Sequence, residues 1–299
     1  LQKRKKELSE AREEIHKANF INIIETCNGG TKRSLLAAKE KGASSWLTCL
    51  PLQKLGYVLN KQEFRDCMAL RYNWAIPDMP RVCGCGKPSN IDHLLSCHLG
   101  GYTNMRHNRL RDLIAKMLKE VCYDVRTEPH LLKVNDGDCV LPHTNKAEQA
   151  RLDISARGVW TSFDKSFFDV RVTHPNCLSN RSKPFQQIYE ENEKEKKDEY
   201  NERVLNVEKG NFTPLVFLTS GGMSKECKRF INRLANLQAR RKGEEYGDVV
   251  RVLRTKLRFA LLKTTLIALR GHREKACDKD FSLPLSEISY NLVPSPANS

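Results

Sequence analysis

Three cysteines and one histidine lie within fifteen residues and form the densest group of metal-ligand types in the chain. The group consists of Cys83, Cys85, His93 and Cys97, with one, seven and three residues between successive members. Thiolate and imidazole groups are ligands of tetrahedral Zn²⁺, and four protein ligands are typical of a structural site. The spacing predicts a CCHC zinc knuckle over residues 81–100, with His98 as an alternative ligand. The other cysteines mostly occur singly, as free thiols do in a reducing compartment.

Two aspartates are candidates for catalysis, because each interrupts an apolar strand-like run. Asp153 lies in the sequence Arg-Leu-Asp-Ile, and Asp169 lies in Phe-Asp-Val-Arg. A buried carboxylate is costly unless it is paired or binds a metal. The connection between the two runs is short enough for a hairpin, which would bring both carboxylates within reach of one Mg²⁺. Glu128, in the preceding strand-like run, is a weaker third candidate. The alternative is that each aspartate faces solvent on an alternating strand.

A site that cleaves a phosphodiester also needs a positive group to stabilise developing charge or to position the attacking water. Arg171 lies two residues beyond Asp169 and therefore points to the same face of the strand. The helix that follows carries further candidates, which are Lys194, Lys196, Lys197 and Tyr200. The alternative interpretation of this helix is a solvated face with Glu–Lys pairs.

Hydrophobic periodicity predicts the elements that must position these groups. Residues 106–122 carry apolar side chains at helical spacing and predict a helix with one core face. Strands are predicted at 123–128, 152–156, 167–173 and 213–218. Further helices are predicted at 3–17, 32–41, 61–72, 186–210, 224–242 and 246–270. Pro77 and Pro80 mark a domain boundary.

The charge balance favours a polyanionic partner, nucleic acid first. The 299 residues include 51 Lys and Arg against 36 Asp and Glu, a net charge of +15. Residues 223–273 hold 14 basic and 4 acidic residues, a net charge of +10, which predicts two helices that bind the DNA backbone. The candidate contacts on the last helix are Arg251, Arg254, Lys256 and Arg258. The longest apolar stretch, 259–269, is far shorter than the ~20 residues of a membrane span, so no membrane partner is expected.

The order of the motifs resembles the C-terminal region of early-branching non-LTR retrotransposon polyproteins. The order is a knuckle, Arg-His-Asn opening a helix, Glu-Pro, Arg-x-Asp, Asp-x-x-Val, and a helix with Lys and Tyr. In that family a zinc knuckle precedes a restriction-like endonuclease of the PD-(D/E)xK type. The resemblance covers about residues 80–218, and the upstream stretch 46–74 is similar to the linker that joins a reverse transcriptase to the knuckle.

The resemblance implies roles for particular residues. The family's Arg-His-Asn signature corresponds to Arg106, His107 and Asn108, which would organise the site or contact a phosphate of DNA. Its Lys/Arg-Pro-Asp signature corresponds to residues 151–153. Asp153 would therefore be the first metal carboxylate, and the second acidic position falls on Asp169.

The resemblance also bears on the catalytic cation. The family's nuclease lysine is often displaced onto the next helix, which points to Lys196 or Lys197, with Tyr200 beside them. This sequence departs from the family pattern at Leu152, where proline is usual, and at Arg171, which occupies the usual lysine position. Arginine stays protonated and is a poor base, although it can hold a phosphate.

The resemblance implies an α/β fold with a restriction-endonuclease-like core, in which helices flank a mixed central sheet. The predicted division is a helical linker at 1–80, the CCHC knuckle at 81–100, the endonuclease domain with its C-terminal basic helices at 101–273, and a flexible tail at 274–299. Because the first residue is Leu, we expect a piece of a longer polyprotein that includes a reverse transcriptase.

The implied activity is Mg²⁺-dependent nicking of double-stranded DNA in the nucleus, which supplies a 3′-hydroxyl for target-primed reverse transcription. Zn²⁺ would be structural, Mg²⁺ would be catalytic, and the element's RNA is a second candidate partner. One alternative is a catalytically inactive DNA- or RNA-binding module of a decayed or domesticated element. Another is a structural segment whose basic helices dock on another domain or a membrane.

Overall fold

The computed structural model describes residues 2–271 and 273. Its helices are α1 (Gln2–Thr26), α2 (Gly29–Lys39), α3 (Lys61–Tyr72), α4 (Ile91–Ser96), α5 (Tyr102–Lys119), α6 (Phe185–Asn206), α7 (Lys225–Lys242) and α8 (Tyr246–Arg270). Its strands are β1 (Tyr123–Thr127), β2 (Ile154–Arg157), β3 (Lys165–Thr173) and β4 (Asn211–Leu218). Single 3₁₀ turns cover Ser45–Leu47 and Gln53–Leu55. The predicted flexible tail, residues 274–299, lies outside the described residues.

The four strands form one mixed sheet in the order β1-β2-β3-β4. The first three strands pair antiparallel, and β3 pairs parallel with β4. A parallel pair needs a crossover connection, and α6 supplies it. Phe168 and Val170 of β3 lie in a core with α5, α7 and α8, whereas Phe167 packs against Tyr200 of α6. Helices therefore flank both faces of the sheet, which confirms the mixed α/β architecture.

The starts of β2, β3 and β4 each differ by two residues from the prediction, and the difference at β2 has a local cause. The sequence predicts a strand from residue 152, but β2 begins at Ile154. The backbone N–H of Val170 donates to the Asp153 carboxylate at 2.6 Å. This side-chain bond uses the N–H group that a longer antiparallel ladder would need. Asp153 therefore lies just before the strand rather than within it.

Helix α8 joins the sheet core to a second core. Leu253 and Leu257 pack in the sheet core, whereas Phe259 and Leu266 pack in the second one. The second core also contains side chains from the predicted linker and knuckle, namely Trp46, Tyr57, Leu94 and Leu95. Every residue of α8 from Leu257 to Leu269 is buried. The predicted domain limits at residues 80 and 100 therefore divide residues that pack together in one core.

A buried ion pair ties α8 to α3. Lys263 Nζ lies 3.0 and 2.9 Å from the two carboxylate oxygens of Glu63, and the two side chains are 5% and 2% exposed. Glu63 also accepts the backbone N–H of Asn60, while Asn60 accepts that of Glu63, which makes a capping box at the start of α3. Charges removed from water are tolerated only when such partners satisfy them.

Glu63→Gln should lower the free energy of unfolding by about 3–5 kcal/mol, because it leaves the Lys263 ammonium buried without its counter-charge. Glutamine can still accept the Asn60 N–H, so the cap itself is retained. Adding Lys263→Met removes the stranded charge and should recover most of the loss. Urea unfolding of the two single variants and the double variant measures this coupling. A double variant no more stable than Glu63→Gln alone would contradict it.

Candidate functional site

The predicted knuckle folds around its four candidate ligands. The backbone N–H of Cys83 donates to the Lys87 carbonyl, and that of Gly86 donates to the Cys83 carbonyl, so the chain turns tightly after Cys85. Gly86 adopts a φ of +82°, which favours glycine. The Asn90 side chain accepts the His93 N–H and caps the short helix α4. His93, and Cys97 just after the end of α4, thereby face the turn.

The distances within this cluster suit a tetrahedral metal ion such as zinc. Cys83 Sγ lies 3.9 Å from Cys97 Sγ, and Cys85 Sγ lies 3.2 Å from His93 Nε2. All four ligand atoms lie within 4.8 Å of one another. Bonds of about 2.3 Å to sulfur and 2.0 Å to nitrogen place tetrahedral ligand atoms about 3.3–3.8 Å apart. The four side chains could therefore bind a metal ion after the widest pair of ligand atoms closes by about 1 Å.

The electrostatics of the cluster favour the metal-binding forms of His93 and Cys85, whereas burial raises the pKa of the Cys83 thiol. Burial, and then the charges of Arg273 and Lys87, lower the pKa of His93, which keeps its imidazole neutral. A backbone hydrogen bond from Lys87 lowers the pKa of the Cys85 thiol. The alternative ligand His98 is outside the cluster, where its Nδ1 lies 3.5 Å from Thr103 Oγ1. The structure therefore selects His93.

The two aspartates lie opposite each other in the β2–β3 hairpin. The register pairs Ile154 with Phe168. Asp153 directly precedes Ile154 and Asp169 directly follows Phe168, so the two aspartates lie together at one end of the paired strands. The side chains of Asp153 and Asp169 are 14% and 11% exposed. The hairpin predicted from their spacing is confirmed, and neither carboxylate is fully solvated.

Asp153 is held by two donors. Its Oδ2 accepts the Val170 N–H at 2.6 Å and lies 3.0 Å from His107 Nε2. His107 Nδ1 lies 3.1 Å from Asn108 Oδ1, so both ring nitrogens face acceptor oxygens. Burial lowers the pKa of His107, but the bonds to Asp153 and Asn108 outweigh it, and the pKa lies above its ordinary value. The imidazolium form satisfies both contacts.

Asp169 faces α6 and meets a lysine there. Lys196 Nζ lies 3.4 Å from Asp169 Oδ2 and 3.2 Å from Glu199 Oε2. Asp169 Oδ2 is buried and, among the described residues, receives no hydrogen bond of normal geometry. Burial, and then the charge of Asp153, raise the pKa of Asp169 to about 6. Burial lowers the pKa of Lys196, but the charges of Asp169 and Glu199 outweigh it and raise the pKa above its ordinary value.

The structure distinguishes among the predicted cations. Lys197 Nζ lies 2.8 Å from Glu226 Oε1 on α7, so its charge is engaged away from the aspartates. Arg171 forms a 3.4 Å ion pair with Glu195. Tyr200 lies beside Lys196, whose ammonium is 5.3 Å from the centre of the ring. Lys196 is therefore the predicted cation that pairs with a candidate metal carboxylate, Asp169.

Other predicted site residues lie elsewhere. The carboxylate of Glu128 is exposed, accepts a hydrogen bond from Arg111 and lies 3.9 Å from Arg151 Nη1. Arg106 is 2% exposed and donates to the Leu95 carbonyl at 3.1 Å. Burial lowers the pKa of Arg106 to about 10. This burial removes Arg106 from the DNA-contacting surface that the sequence predicts and leaves it a structural link to α4.

The four predicted DNA contacts on α8 are not equivalent. Arg251 is exposed and pairs with Asp248, and Arg254 donates to Asn232 at 3.0 Å. Lys256 is half-buried. Arg258 is 8% exposed, so the prediction that it contacts a DNA backbone is corrected. The apolar second half of α8 draws Arg258 into the interior.

Sequence reasoning missed Glu199 and Asn145 as neighbours of the site. Glu199 lies three residues after Lys196, a helical spacing that could have indicated the pair. The Asn145 amide lies 3.4 Å from Glu199 Oε1 and 3.5 Å from the Tyr200 hydroxyl. Asn145 comes from the long connection between β1 and β2, for which the sequence carries no periodic signal.

A scan of protein-family models and a search of curated proteins both found no match to this chain.

Among the helices of the described residues, none combines the length and apolarity that a membrane crossing requires.

The purified chain should contain one equivalent of zinc per molecule, measured by elemental analysis after dialysis. Cys83→Ser and His93→Ala should each lose most of the metal, because three ligands bind far less tightly than four. His98→Ala and Cys177→Ser are matched controls outside the cluster and should keep it. Loss of zinc in His98→Ala with retention in His93→Ala would contradict the ligand set.

Proposed function

We propose that the chain is a DNA endonuclease of the restriction-like type, which nicks DNA by metal-dependent hydrolysis of a phosphodiester. The observation that carries the proposal is the group formed by Asp153, Asp169 and Lys196. Two facing carboxylates beside an ammonium, all partly buried, are what a site for charged phosphate chemistry requires. All three residues of this group are ones that the motif resemblance indicates.

The order of elements around this group supports the same proposal. Helix α5 precedes three antiparallel strands, and α6 then leads to a fourth strand parallel to β3. The resemblance implied a mixed sheet flanked by helices, with the carboxylates on adjacent strands and the lysine on the next helix. Asp169 on β3 and Lys196 on α6 have this relationship, and the metal-ligand cluster precedes the sheet in the chain.

The aspartates fit a divalent cation of the magnesium type, since Asp169 Oδ2 is a buried acceptor without a hydrogen bond of normal geometry. Asp153 and Asp169 would hold the ion, which when bound supplies charge stabilisation at the phosphate and a more acidic water. Lys196 is placed to orient the attacking water or to offset negative charge on the phosphate. His107 and Val170 hold Asp153 in position.

Basic side chains near the sheet support DNA as the substrate. The exposed positive residues on α7 and the start of α8 are Lys225, Arg229, Arg240, Arg241, Lys242 and Arg251. Binding through such groups is sequence-independent and weakens steeply as salt rises. In the context that the resemblance implies, the nick would supply a 3′-hydroxyl for reverse transcription in the nucleus by a larger polyprotein, with the metal-bound knuckle as a structural part.

A second candidate function is nucleic-acid binding without catalysis. The observation that favours it is that Asp153 already pairs with His107 and Asp169 with Lys196. Arg171, at the usual lysine position of the strand, points the same way, since arginine is a poor base. In this case the knuckle and the exposed basic residues would bind DNA or RNA, and the aspartates would be a charge-paired structural cluster.

Supercoiled plasmid with Mg²⁺ should be converted to the nicked form by the wild-type chain. Asp153→Asn and Asp169→Asn keep side-chain volume but remove the charge, and should lower the rate at least about a hundredfold. Gel electrophoresis over time measures the rate, and a gel-shift assay checks that DNA binding persists.

Lys196→Ala and Lys197→Ala form a matched pair for the same assay. The first should lower nicking by about a hundredfold or more, whereas the second should have little effect because Lys197 pairs with Glu226. Nicking that is equal in wild type and both aspartate variants rejects the enzyme. DNA binding without nicking in any variant, including wild type, supports the binding module.

A further inference from the structure

A cavity of about 80 Å³ lies between the linker helices, α4, α8 and the ends of β3 and β4, apart from both sites described above. Its lining includes three arginines, Arg33, Arg71 and Arg258, which come from α2, α3 and α8. One water molecule needs about 10–15 Å³ of such space, so the cavity has room for several waters or one tetrahedral oxyanion. Exposed Asn73 and Asp92 in the lining place its mouth at the surface.

Several buried donors at this cavity have no acceptor. Arg258 is 8% exposed, and its Nε and Nη1 make no hydrogen bond within the described part of the chain. The same holds for Nε of Arg71 and for the hydroxyl groups of Ser220 and Thr265. Unsatisfied buried donors are costly, and each needs an explanation. Here they come from three separate parts of the chain, namely α3, α8 and the loop after β4, and they line one cavity.

The charge at the cavity is also unbalanced. Arg33 donates to the Asn176 side chain and to the carbonyls of Pro175 and Asn180, all of them neutral acceptors. Burial, together with the neighbouring charge of Arg71, lowers the pKa of Arg258 to about 10. Asp92, the single carboxylate among the described lining residues, lies 2.9 Å from His174 Nε2, and its charge partly offsets the effect of burial on the pKa of Arg33.

Carboxylates around the cavity but outside its lining have other partners. Glu40, beside Gly222, accepts the Tyr189 hydroxyl at 2.8 Å. On α3, Glu63 pairs with Lys263, and Asp66 forms two 2.8 Å bonds to Arg270. Gly221 lies against the Arg258 guanidinium, and an added Cβ there would come within 2.8 Å of Nη1, so the loop after β4 leaves space for this head group. The cavity therefore combines positive charge, free donors and a volume that suits one anion.

We propose that this cavity is a binding site for a single phosphate group, held by Arg258 and Arg71 with Ser220 and Thr265. Planar guanidinium groups bind phosphate oxygens through paired N–H donors, and the two hydroxyls add donors on a third side. The phosphate is either the free ion or the terminal phosphate of a nucleic acid. The site uses neither aspartate of the proposed nuclease and does not depend on that function.

Thermal unfolding of the zinc-loaded full chain, titrated with inorganic phosphate at constant ionic strength, tests the site. A ligand that binds only the folded state raises Tm in a saturable way. Arg258→Met should weaken phosphate binding about tenfold or more, as expected for the loss of a charged hydrogen-bonding group. The same variant should raise Tm in the absence of phosphate, because it removes an unpaired buried charge.

One control variant and two further variants of the site complete the test. Arg240→Met removes an exposed arginine from α7 and should leave the phosphate-dependent shift unchanged. Ser220→Ala and Thr265→Val remove one hydroxyl each with little change in volume, so they test the site even if Arg258→Met fails to fold, and each should weaken binding. No saturable shift in wild type, or an equal shift in all variants, overturns the proposal.

Oligonucleotides distinguish the two sources of the phosphate group. A strand with a 5′-phosphate and the same strand with a 5′-hydroxyl are added as competitors of inorganic phosphate. Competition by the phosphorylated strand alone assigns the site to a nucleic-acid terminus. Competition by neither strand, with saturable binding of the free ion, assigns it to inorganic phosphate. Equal competition by both strands would show that binding is not directed at a terminal phosphate and would overturn that assignment.

Discussion

Burial of the second half of α8 is the constraint on which the rest of the molecule depends. A surface helix usually hides an apolar stripe, but from Leu257 to Leu269 this helix is buried on every side. One side is covered by the sheet core and another by the core that contains Trp46 and Leu94. The linker, the knuckle and the sheet must therefore pack around one helix. The charges on the buried part of that helix depend on the interior for partners. Lys263 has one in Glu63, whereas the Nε and Nη1 donors of Arg258 have none among the described residues.

Two groups of buried charge result from this packing, and they differ in balance. Around the hairpin, the negative charges of Asp153 and Asp169 are offset by His107 on α5 and Lys196 on α6. Around the cavity, Arg258 and Arg71 lie near each other with no carboxylate bound to either in the described chain. In the first group each carboxylate has a cationic partner. The second has donors whose desolvation is uncompensated, which is the physical basis for expecting an anion there.

Local sequence signals predicted much of the fold and of the carboxylate site. The short connection between two apolar runs sufficed to place Asp153 opposite Asp169, because hairpin register follows from nearby residues. The sequence did not decide between Lys196 and Lys197. Neighbouring helical positions point about 100° apart, and only the packing of α6 determines which of them faces the site. The cavity could not be predicted, because Arg33, Arg71 and Arg258 come together only through tertiary packing.

Charge counts in sequence also mislead where apolar residues dominate the environment. Residues 223–273 carry a net charge of +10, and a solvated surface was the natural interpretation. The run of apolar residues around Lys263 instead buries this part of α8, because hiding that much apolar surface outweighs the cost of burying two charges, of which Lys263 is paired with Glu63. The basic residues of α7 and the start of α8 remain at the surface, so the positive face is smaller than the count implies.

The metal-ligand cluster contributes to more than its own loop. His93 is followed in α4 by Leu94, which packs in the second core, and preceded by Asp92, which is bonded to His174 just after β3. Asp92 and Ile91 also line the cavity. A helix of six residues has little stability of its own, so a metal bound through His93 would hold α4 in place. The same ion would then support the second core, the end of β3 and one wall of the arginine cavity.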